Sequence, residues 1–323
     1  MEMLLLFAMF ISFIVTAVSM PWLIKNMLKI GMNGKDMNKP NKPIVAEMGG
    51  VGVIIGFFSG LFFIMAIERY LGSGITISQG RLLIACMFAL LGAGFVGALD
   101  DLFDLRQRVK AVLPMFFAIP LALYLPEHVL SLPMIGEIDL GFAFILVIPF
   151  GITCAANASN MLEGFNGLGA GLGIIINVTL ITMCVIEGTM LPMVILIPLL
   201  GASLAFIYFN KYPAKIFPGD TLMLFQGAAL ASAAMLGGIM EIGAVLFSPM
   251  IIEFFLKLRG RFRGECFGRV DKDGILHYKG RIESLTHIVM KKMRVNEVQL
   301  VLVLWGIEGV LCIGTTTVFI FMH

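Results

Sequence analysis

Charged residues are the scarcest broad class in this sequence. Only 14% of the 323 residues are Asp, Glu, Lys or Arg, whereas a soluble domain carries about 25%. Hydrophobic residues make up 59% of the chain. This composition excludes an ordinary soluble enzyme and indicates a polytopic membrane protein. The formal net charge is only +2, so no strong field points to nucleic acid as a partner.

Patterns of cysteine that would indicate zinc or disulfides are also missing. The five cysteines are scattered and show no CxxC spacing. Four of them lie in apolar runs, where a thiol is usually a small buried hydrophobe: Cys86, Cys154, Cys184 and Cys312. The sequence therefore predicts neither a zinc site nor a disulfide framework.

Long apolar runs, in contrast, fill the chain. Ten of them approach the roughly 20 residues that cross a bilayer, at 3–24, 49–67, 81–99, 111–125, 141–157, 167–186, 190–209, 221–238, 240–256 and 298–321. The first run lacks a basic leader and is too long for a signal sequence. We expect an all-α membrane protein with about ten spans, folded as a single integral-membrane domain over residues 1–323.

The distribution of lysine and arginine predicts the orientation. With the N-terminus outside, the inner segments 25–48, 100–110, 210–220 and 257–296 hold 21 of the 23 basic residues. Because cytoplasmic loops attract positive charge, this split favours cytoplasmic loops at these segments and a C-terminus outside. Arg69 and Arg81 are the two exceptions.

The polar loops add two local predictions. The outer stretch 130–140 alternates apolar residues around Gly136 and could form a small β-hairpin. The segment 257–296 is a basic cytoplasmic loop with a hairpin turn expected at Asp273–Gly274. No soluble domain is evident, so any chemistry must sit at the cytoplasmic face.

Three aspartates follow the third run, in the stretch GALDDLFDLRQRVK. Asp100 and Asp101 are adjacent, and Asp104 lies one helical turn further on. Carboxylates this close require a counter-ion, either a metal or a cationic side chain. The alternative is a solvated helix end followed by ordinary basic residues.

Further polar residues interrupt the apolar pattern at the same face. Asn160, Glu163 and Asn166 are spaced three apart in NASNMLEGFNGLGAG, and Asp220 follows Pro218–Gly219 at a helix start. Taken alone, Asp220 is more simply read as a helix N-cap, and the neighbouring glycines as helix packing. Together, oxygen ligands without His or Cys suit Mg²⁺ with substrate phosphates. Arginines at 259, 261 and 263 suit phosphate recognition.

Three motifs in this order carry a resemblance to a known family. DDLFDLRQRVK, NASNMLEGFNGLGAG and FNKYPAKIFPGDT resemble those of the polyprenyl-phosphate N-acetylhexosamine-1-phosphate transferases, glycosyltransferase family 4. Asn166 in FNGL and Thr221 after Gly219–Asp220 are similar to the archaeal and eukaryotic branch that uses UDP-GlcNAc and dolichyl phosphate. The chain lacks the longer C-terminal insertion typical of eukaryotic members, which favours an archaeal relationship.

The resemblance implies a role for particular residues. Asp100 would be the acid/base or nucleophilic carboxylate, and Asp101 would hold the neighbouring network. Asn166 and Asp220 would bind Mg²⁺, with Mn²⁺ as a substitute. The implied substrate-binding residues are Met37, Glu47, Asp104, Lys110, Asn160, Glu163, Arg261 and Arg263. For the two arginines, the register Arg259/Arg261 is the alternative.

We therefore expect transfer of an N-acetylhexosamine-1-phosphate, with GlcNAc the leading sugar, from a UDP-sugar to a polyprenyl or dolichyl phosphate. UMP would be released, and the product would begin a lipid-linked oligosaccharide or a cell-surface glycan. The acceptor would enter from the lipid through a groove near Asp100, on the cytoplasmic side of an archaeal plasma membrane. Gln107, where eukaryotic members carry Trp, and Asp104, where they often carry Asn, depart from the pattern near the sugar.

Two other classes compete with this expectation. A secondary transporter of an anionic phosphorylated metabolite would place carboxylates near the membrane midplane. A non-catalytic membrane scaffold would leave the polar clusters without a purpose. The sequence is compatible with both a monomer and a homodimer.

Overall fold

Helices make up most of the computed structural model, which describes residues 2–72, 77–125, 129–132, 136–262 and 264–322. The helices are α1 (Glu2–Ile30), α2 (Gly50–Leu71), α3 (Ile77–Phe103), α4 (Gln107–Tyr124), α5 (Phe144–Met161), α6 (Leu168–Glu187), α7 (Met193–Asn210), α8 (Gly219–Leu236), α9 (Met240–Leu246), α10 (Ser248–Arg259), α11 (Leu285–Lys292) and α12 (Glu297–Met322). A single 3₁₀ turn, Gly141–Ala143, precedes α5.

Seven helical segments in these ranges are long and apolar enough to cross a membrane. They are α1, α2, α3, α6, α7, α12 and the segment Gly141–Met161 that contains α5. The prediction of a polytopic membrane protein is therefore confirmed at this level. Two further predicted runs, 111–125 and 221–238, coincide with helices α4 and α8.

The predicted run 240–256 differs from the expectation of one continuous helix. It forms two helices, α9 and α10, which meet at Phe247. Pro249 lies in the first turn of α10, where its missing N–H costs no hydrogen bond. Pro249 alone does not explain the break, because Pro114, Pro149 and Pro198 lie inside the continuous helices α4, α5 and α7.

Short strands form three small sheets beside the helices. The hairpin predicted at 130–140 is confirmed as β3 (Val129–Leu132) paired antiparallel with β4 (Gly136–Asp139). Another sheet pairs β1 (Asn33–Lys35) with β2 (Ile44–Ala46). The turn predicted at Asp273–Gly274 is also confirmed, since it joins β5 (Arg269–Val270) to β6 (Ile275–His277). β7 (Val295–Asn296) completes this third sheet, which the sequence did not predict.

Helix α8 lies at the centre of the bundle. It packs against α2, α3, α5, α6 and α7. Its alanines at 228, 229 and 233 are completely enclosed. Because such small side chains let neighbouring helices approach closely, α8 can hold its first turn near several other elements.

One end of the bundle collects the polar loops, and we call it the polar end. Here the end of α3 contacts the start of α8, since Asp101 accepts from the backbone of Asp220. The loop after α1 reaches the α5–α6 loop, because Asn38 donates to Gly164. The end of α10 reaches the end of α5, since Lys257 donates to the carbonyl of Met161. The polar end therefore gathers residues from across the whole chain.

Candidate active site

Asp101 caps the first turn of α8. Its Oδ1 accepts from the backbone N–H of Asp220 at 2.7 Å. Its Oδ2 accepts from the backbone N–H of Thr221 at 3.1 Å and from the Thr221 hydroxyl. The N-terminus of a helix stabilises a carboxylate in this position. The side chain that caps α8 therefore comes from α3, and the interpretation of Asp220 as the N-cap of α8 is wrong.

This capping requires two glycines at the crossing of α3 and α8. Gly97 of α3 lies against the backbone of Asp220, and a Cβ there would collide with that carbonyl. Gly219 has φ +68°, and a Cβ there would collide with the Asp101 carboxylate. Only a residue without a side chain fits both positions, so the two helices meet backbone to backbone.

Lys110 joins the carboxylates of Asp100 and Asp220. Its Nζ lies 2.7 Å from Oδ2 of Asp100 and forms an ion pair with Oδ2 of Asp220. Asp100 Oδ1 also accepts from the backbone N–H of Leu105 at 2.9 Å, which fixes the turn after α3. Asn160 donates to Oδ2 of Asp220 at 2.9 Å. The structure therefore brings four predicted residues, Asp100, Lys110, Asn160 and Asp220, into one cluster.

The charge of this cluster bears on the predicted metal. One lysine balances only one of the two carboxylates, Asp100 and Asp220. Among the described residues, no group of three or more His, Cys, Asp or Glu could hold a metal by itself. Mg²⁺, however, usually binds one or two carboxylates and takes its remaining ligands from water and phosphate. The donor set at the polar end fits that mode.

Asn166 belongs to a second network, which the sequence did not reveal. Its Nδ2 donates to Oδ2 of Asp36 at 3.0 Å, and its backbone N–H donates to Oε1 of Glu297 at 2.9 Å. Lys39 pairs with both carboxylates, at 3.4 Å from Oε2 of Glu297. Asp36, Asn166 and Glu297 are buried, and Lys39 is nearly so. No hydrogen bond joins Asn166 to Asp220 within the described ranges.

The orientation of the Asn166 amide leaves its oxygen for other contacts. Nδ2 donates to Asp36, whereas Oδ1 accepts no hydrogen bond from the residues that the structure describes. An amide oxygen held in this way is a suitable ligand for a hard cation. Asp36 and Glu297 were not predicted from the sequence, and each had only a weak signal there. Asp36 is an acidic residue within a basic loop, and Glu297 is an acidic residue at the start of a predicted span.

Two glutamates near these networks have raised pKa values. Burial raises the pKa of Glu163 to about 7, although the N–H groups of Gly169 and Gly164 lower it. The Gly169 N–H lies 2.7 Å from Oε2 of Glu163. Burial, and secondly the charge of Asp101, raise the pKa of Glu47. Both residues thus face the polar end in enclosed surroundings.

A polar cavity of about 940 Å³ opens beside these residues. Its lining includes Met37 and Lys39, strand residues of β5 and β6, and the aromatic residues Phe267 and Tyr278 that flank these strands. Lys39 also lies 4.6 Å from the centre of the Tyr212 ring. The cavity combines aromatic and basic groups, which suits a nucleotide.

The remaining predicted residues lie outside these networks. Asp104 is exposed with φ +50°, and its backbone N–H donates to the carbonyl of Asp100. Arg261 is exposed just after α10, with φ +56°. Arg259 donates to the carbonyl of Ile282 instead of facing the cluster. Arg263 lies outside the described residues.

An apolar groove of about 770 Å³ begins near the same cluster. Its walls come from α4, α5, α8, α9 and α10, with side chains such as Val112, Ile148 and Phe255. The polar residues at one end are Gln107, Arg108 and Asn157. A groove with apolar walls of this kind can hold a hydrocarbon chain, and the break between α9 and α10 shapes one of its walls.

Comparisons with known proteins show which family this chain belongs to. The model of glycosyl transferase family 4 matches residues 83–238. A protein of Saccharolobus solfataricus, provisionally named UDP-N-acetylglucosamine–dolichyl-phosphate N-acetylglucosaminephosphotransferase, is 39% identical over 98% of this chain and 98% of its own length. A Sulfolobus acidocaldarius protein with the same provisional name is 38% identical over 94% and 93% of the two chains. The Schizosaccharomyces pombe protein of that name is 27% identical over 75% of this chain and 64% of its own.

Proposed function

Because the chain belongs to glycosyl transferase family 4, we propose that it is a phosphoglycosyl transferase. It transfers N-acetylglucosamine-1-phosphate from UDP-N-acetylglucosamine to a polyprenyl phosphate of the dolichyl type and releases UMP. The names of the archaeal and yeast relatives support the substrates. The observation that carries the proposal is the cluster of Asp100, Lys110 and Asp220, with an apolar groove on the other side of the first turn of α4.

The two substrates approach this cluster from different sides. The nucleotide-sugar comes from water, and the cavity lined by Met37 and Lys39 would receive its base and ribose. The acceptor comes from the membrane, and the apolar groove suits its hydrocarbon chain, since burying each CH₂ is worth about 0.8 kcal/mol. Glu163 and Asn160 contribute polar groups between the two sites, and Arg261 with Arg263 would bind the donor diphosphate.

In the reaction, an oxygen of the acceptor phosphate forms a bond to the β-phosphorus of the donor. The bond from that phosphorus to the bridging oxygen breaks, and UMP leaves. Lys110 lies where it can hold a phosphate oxygen while it pairs with Asp100 and Asp220. Positioning and charge stabilisation supply most of the catalysis in phosphoryl transfer.

Asp100 has two alternative roles, as a nucleophile or as a proton acceptor. Both of its oxygens accept hydrogen bonds, from Leu105 and Lys110. Because these donors stabilise the carboxylate, they make it a weaker nucleophile. We therefore favour direct transfer, with Asp100 accepting any proton that the acceptor phosphate still holds. Trapping a phosphosugar on Asp100, or exchange of labelled UMP into the donor without lipid, would contradict direct transfer.

Mg²⁺, or Mn²⁺ in its place, would be held by Asp220 and Asn166 together with diphosphate oxygens. When bound, it would neutralise the donor diphosphate and stabilise the leaving UMP. Asp36 would keep the Asn166 amide in the orientation that presents its oxygen. Asp101 would keep the first turn of α8, and therefore Asp220, in place.

The topology follows from the position of the polar end. At the polar end, loops connect α1 to α2, α3 to α4, α5 to α6, and α7 to α8. The end of α10 and the start of α12 also lie at this end. If α9 and α10 together cross once, the chain crosses ten times, with both termini on the opposite side. The excess of basic residues at the polar end supports a cytoplasmic location for it. For an archaeal protein the membrane would be the plasma membrane.

The decisive experiment incubates purified protein in detergent with labelled UDP-N-acetylglucosamine, Mg²⁺ and a short polyprenyl phosphate. We expect a lipid-linked diphosphate sugar and an equal amount of UMP. A panel of other UDP-sugars tests the choice of sugar. The transporter alternative predicts uptake of the nucleotide-sugar into vesicles without any lipid-linked product. The clustering of charges at one end of the bundle counts against that alternative.

A further inference from the structure

Arg108 is the only charged residue that lines the described part of the apolar groove. It sits in the first turn of α4, two residues before Lys110. Residues 107, 108, 111, 112 and 115 all line the groove, at the spacing of one helix face. Lys110 instead belongs to the buried face of α4 with Pro114 and Leu121. The first turn of α4 therefore separates the groove from the carboxylate cluster.

The other polar side chains at this end of the groove use their donors elsewhere. Asn157 donates to the carbonyl of Thr153 at 2.8 Å and to that of Ala111 at 3.3 Å. The Thr153 hydroxyl donates to the carbonyl of Pro149 at 2.7 Å. Arg108, in contrast, is exposed and forms no ion pair with any residue that the structure describes. Its guanidinium and the amide of Gln107 are thus the strong donors that remain for a ligand.

A second feature of α4 favours an anion at the same place. The residue before the helix, Arg106, provides no side-chain cap. The first N–H groups of a helix have no acceptor within it, and the helix dipole adds a partial positive charge. An anion held by Arg108 would therefore also meet the start of α4. A guanidinium matches a phosphate group, because its paired N–H donors can bind two oxygens at once.

From this placement we infer that Arg108 is the binding residue for the phosphate of the acceptor lipid. This inference rests on the proposed function and adds to it a specific point of capture. The hydrocarbon chain lies along α5 and α10, and the phosphate end stops at Arg108. From there the phosphate passes around the first turn of α4 to Lys110 and Asp100. Arg108 binds the acceptor and takes no part in bond making.

Steady-state kinetics with Arg108→Gln tests this assignment. We expect the KM for a short polyprenyl phosphate to rise about tenfold or more, as for loss of a charge-assisted hydrogen bond. The KM for UDP-N-acetylglucosamine and the kcat at saturating lipid stay within about twofold. Arg108→Lys keeps the charge but not the paired donors, so its KM for the lipid should lie between the values of wild type and Arg108→Gln. A wild-type lipid KM in Arg108→Gln, or equal rises for both substrates, would overturn the assignment.

Arg106→Gln is the matched control, because Arg106 is exposed, two residues away, and absent from the groove lining. Its lipid KM should remain within about twofold of the wild-type value. An effect as large as that of Arg108→Gln would mean that general positive charge attracts the lipid, and the specific assignment would then fail.

A binding measurement separates this inference from the proposed reaction. Thermal unfolding is followed with a short polyprenyl phosphate and with the matching polyprenol, which lacks the phosphate. The wild-type protein should be stabilised more by the phosphate than by the alcohol, and Arg108→Gln should lose that difference. If wild type shows the difference but makes no lipid-linked product, the proposed reaction fails while the phosphate site stands. If the variant keeps the full difference, the phosphate site fails whatever the activity.

Discussion

The side-chain amide of Asn166 donates to Oδ2 of Asp36 across 3.0 Å, joining two loops that are 130 residues apart in the chain. Both residues are buried, and Lys39 and Glu297 complete the network. Because a buried charge needs its partners, removal of one member should affect all the others. The network therefore ties the start of α6 to the loop after α1 and to the start of α12.

Asp36→Ala should weaken both metal binding and stability. The variant leaves Lys39 with one carboxylate and frees the Asn166 amide to rotate. Loss of such an orienting partner typically costs about 10–100-fold in metal affinity. The Mg²⁺ concentration for half-maximal activity should rise by about that factor, and stabilisation against heat by Mn²⁺ with UDP-N-acetylglucosamine should shrink. Breaking the buried pair should also lower stability by about 3–5 kcal/mol.

Asn41→Ala in the same loop is the control for this variant, since Asn41 is exposed and lies outside the network. It should leave the Mg²⁺ requirement unchanged. An Asp36→Ala protein that is less stable but keeps the wild-type Mg²⁺ requirement would show that the network is purely structural.

Asp100→Asn and Asp220→Ala should each abolish transfer. Both carboxylates lie against Lys110, and loss of one charged group at such a centre costs about 10²–10³-fold or more. The measurement is the rate of lipid-linked product formation at saturating substrates. Trp22→Phe is the control, because Trp22 is 67% exposed on the outer surface of α1. Near-normal activity of Asp220→Ala with Mg²⁺ would rule out Asp220 as a metal ligand.

The apolar runs predicted most helices, because these depend on local composition. The family resemblance implied that Asp100, Lys110 and Asp220 serve one site, but not that Lys110 pairs with both carboxylates. The actual cap of α8 could not be predicted, because Asp101 lies 119 residues before the N–H group that it accepts from. The local sequence instead favoured Asp220 as the N-cap of α8. Packing across the bundle decides which loops meet, and the spacing of residues along the chain carries no information about that packing.

The break between α9 and α10 is a different kind of miss. Pro249 was visible in the sequence, but a proline alone does not predict a break, since Pro114 and Pro149 lie inside continuous helices. The apolar groove depends on that break and on small residues such as Gly151 and Gly243 in its walls. Its depth follows from side-chain volumes on four or five helices at once. A sequence can suggest that a lipid must enter, but not where the walls leave room.

Gly97→Ala should impair catalysis although Gly97 touches no substrate. The added methyl group would meet the backbone of Asp220, which cannot move like the end of a flexible side chain. Separation of α3 and α8 would shift Asp220 relative to Asp100, and a displacement of about 1 Å can cost about a hundredfold in rate. The kcat should therefore fall by about that factor.

Gly80→Ala on the same helix provides the comparison, since no atom lies within 4 Å of its added Cβ. Alanine is the better helix former by about 1 kcal/mol, so this variant should be at least as stable as wild type and equally active. Equal activity of Gly97→Ala and Gly80→Ala would mean that the α3–α8 contact tolerates the shift, and that its closeness is not needed for the reaction.

The buried carboxyl of Glu163 should make stability depend on pH. Its pKa is raised to about 7 by burial, above the value of about 4.5 in the unfolded chain. Below pH 4.5 both states are protonated and the residue has no effect on stability. Between pH 4.5 and 7 only the unfolded state loses its proton, so stability falls as pH rises, and above 7 the loss is constant at about 3 kcal/mol.

The variant Glu163→Gln tests this dependence, because glutamine does not ionise and its side-chain oxygen can still accept a hydrogen bond from the Gly169 N–H. The melting temperature of the variant minus that of wild type should be near zero at pH 4.5, rise through pH 6 and level off above pH 7. Because other titrating groups are common to both proteins, they cancel in this difference. A difference that stays flat from pH 4.5 to 8 would show that folding does not change the pKa of Glu163, which would contradict this prediction.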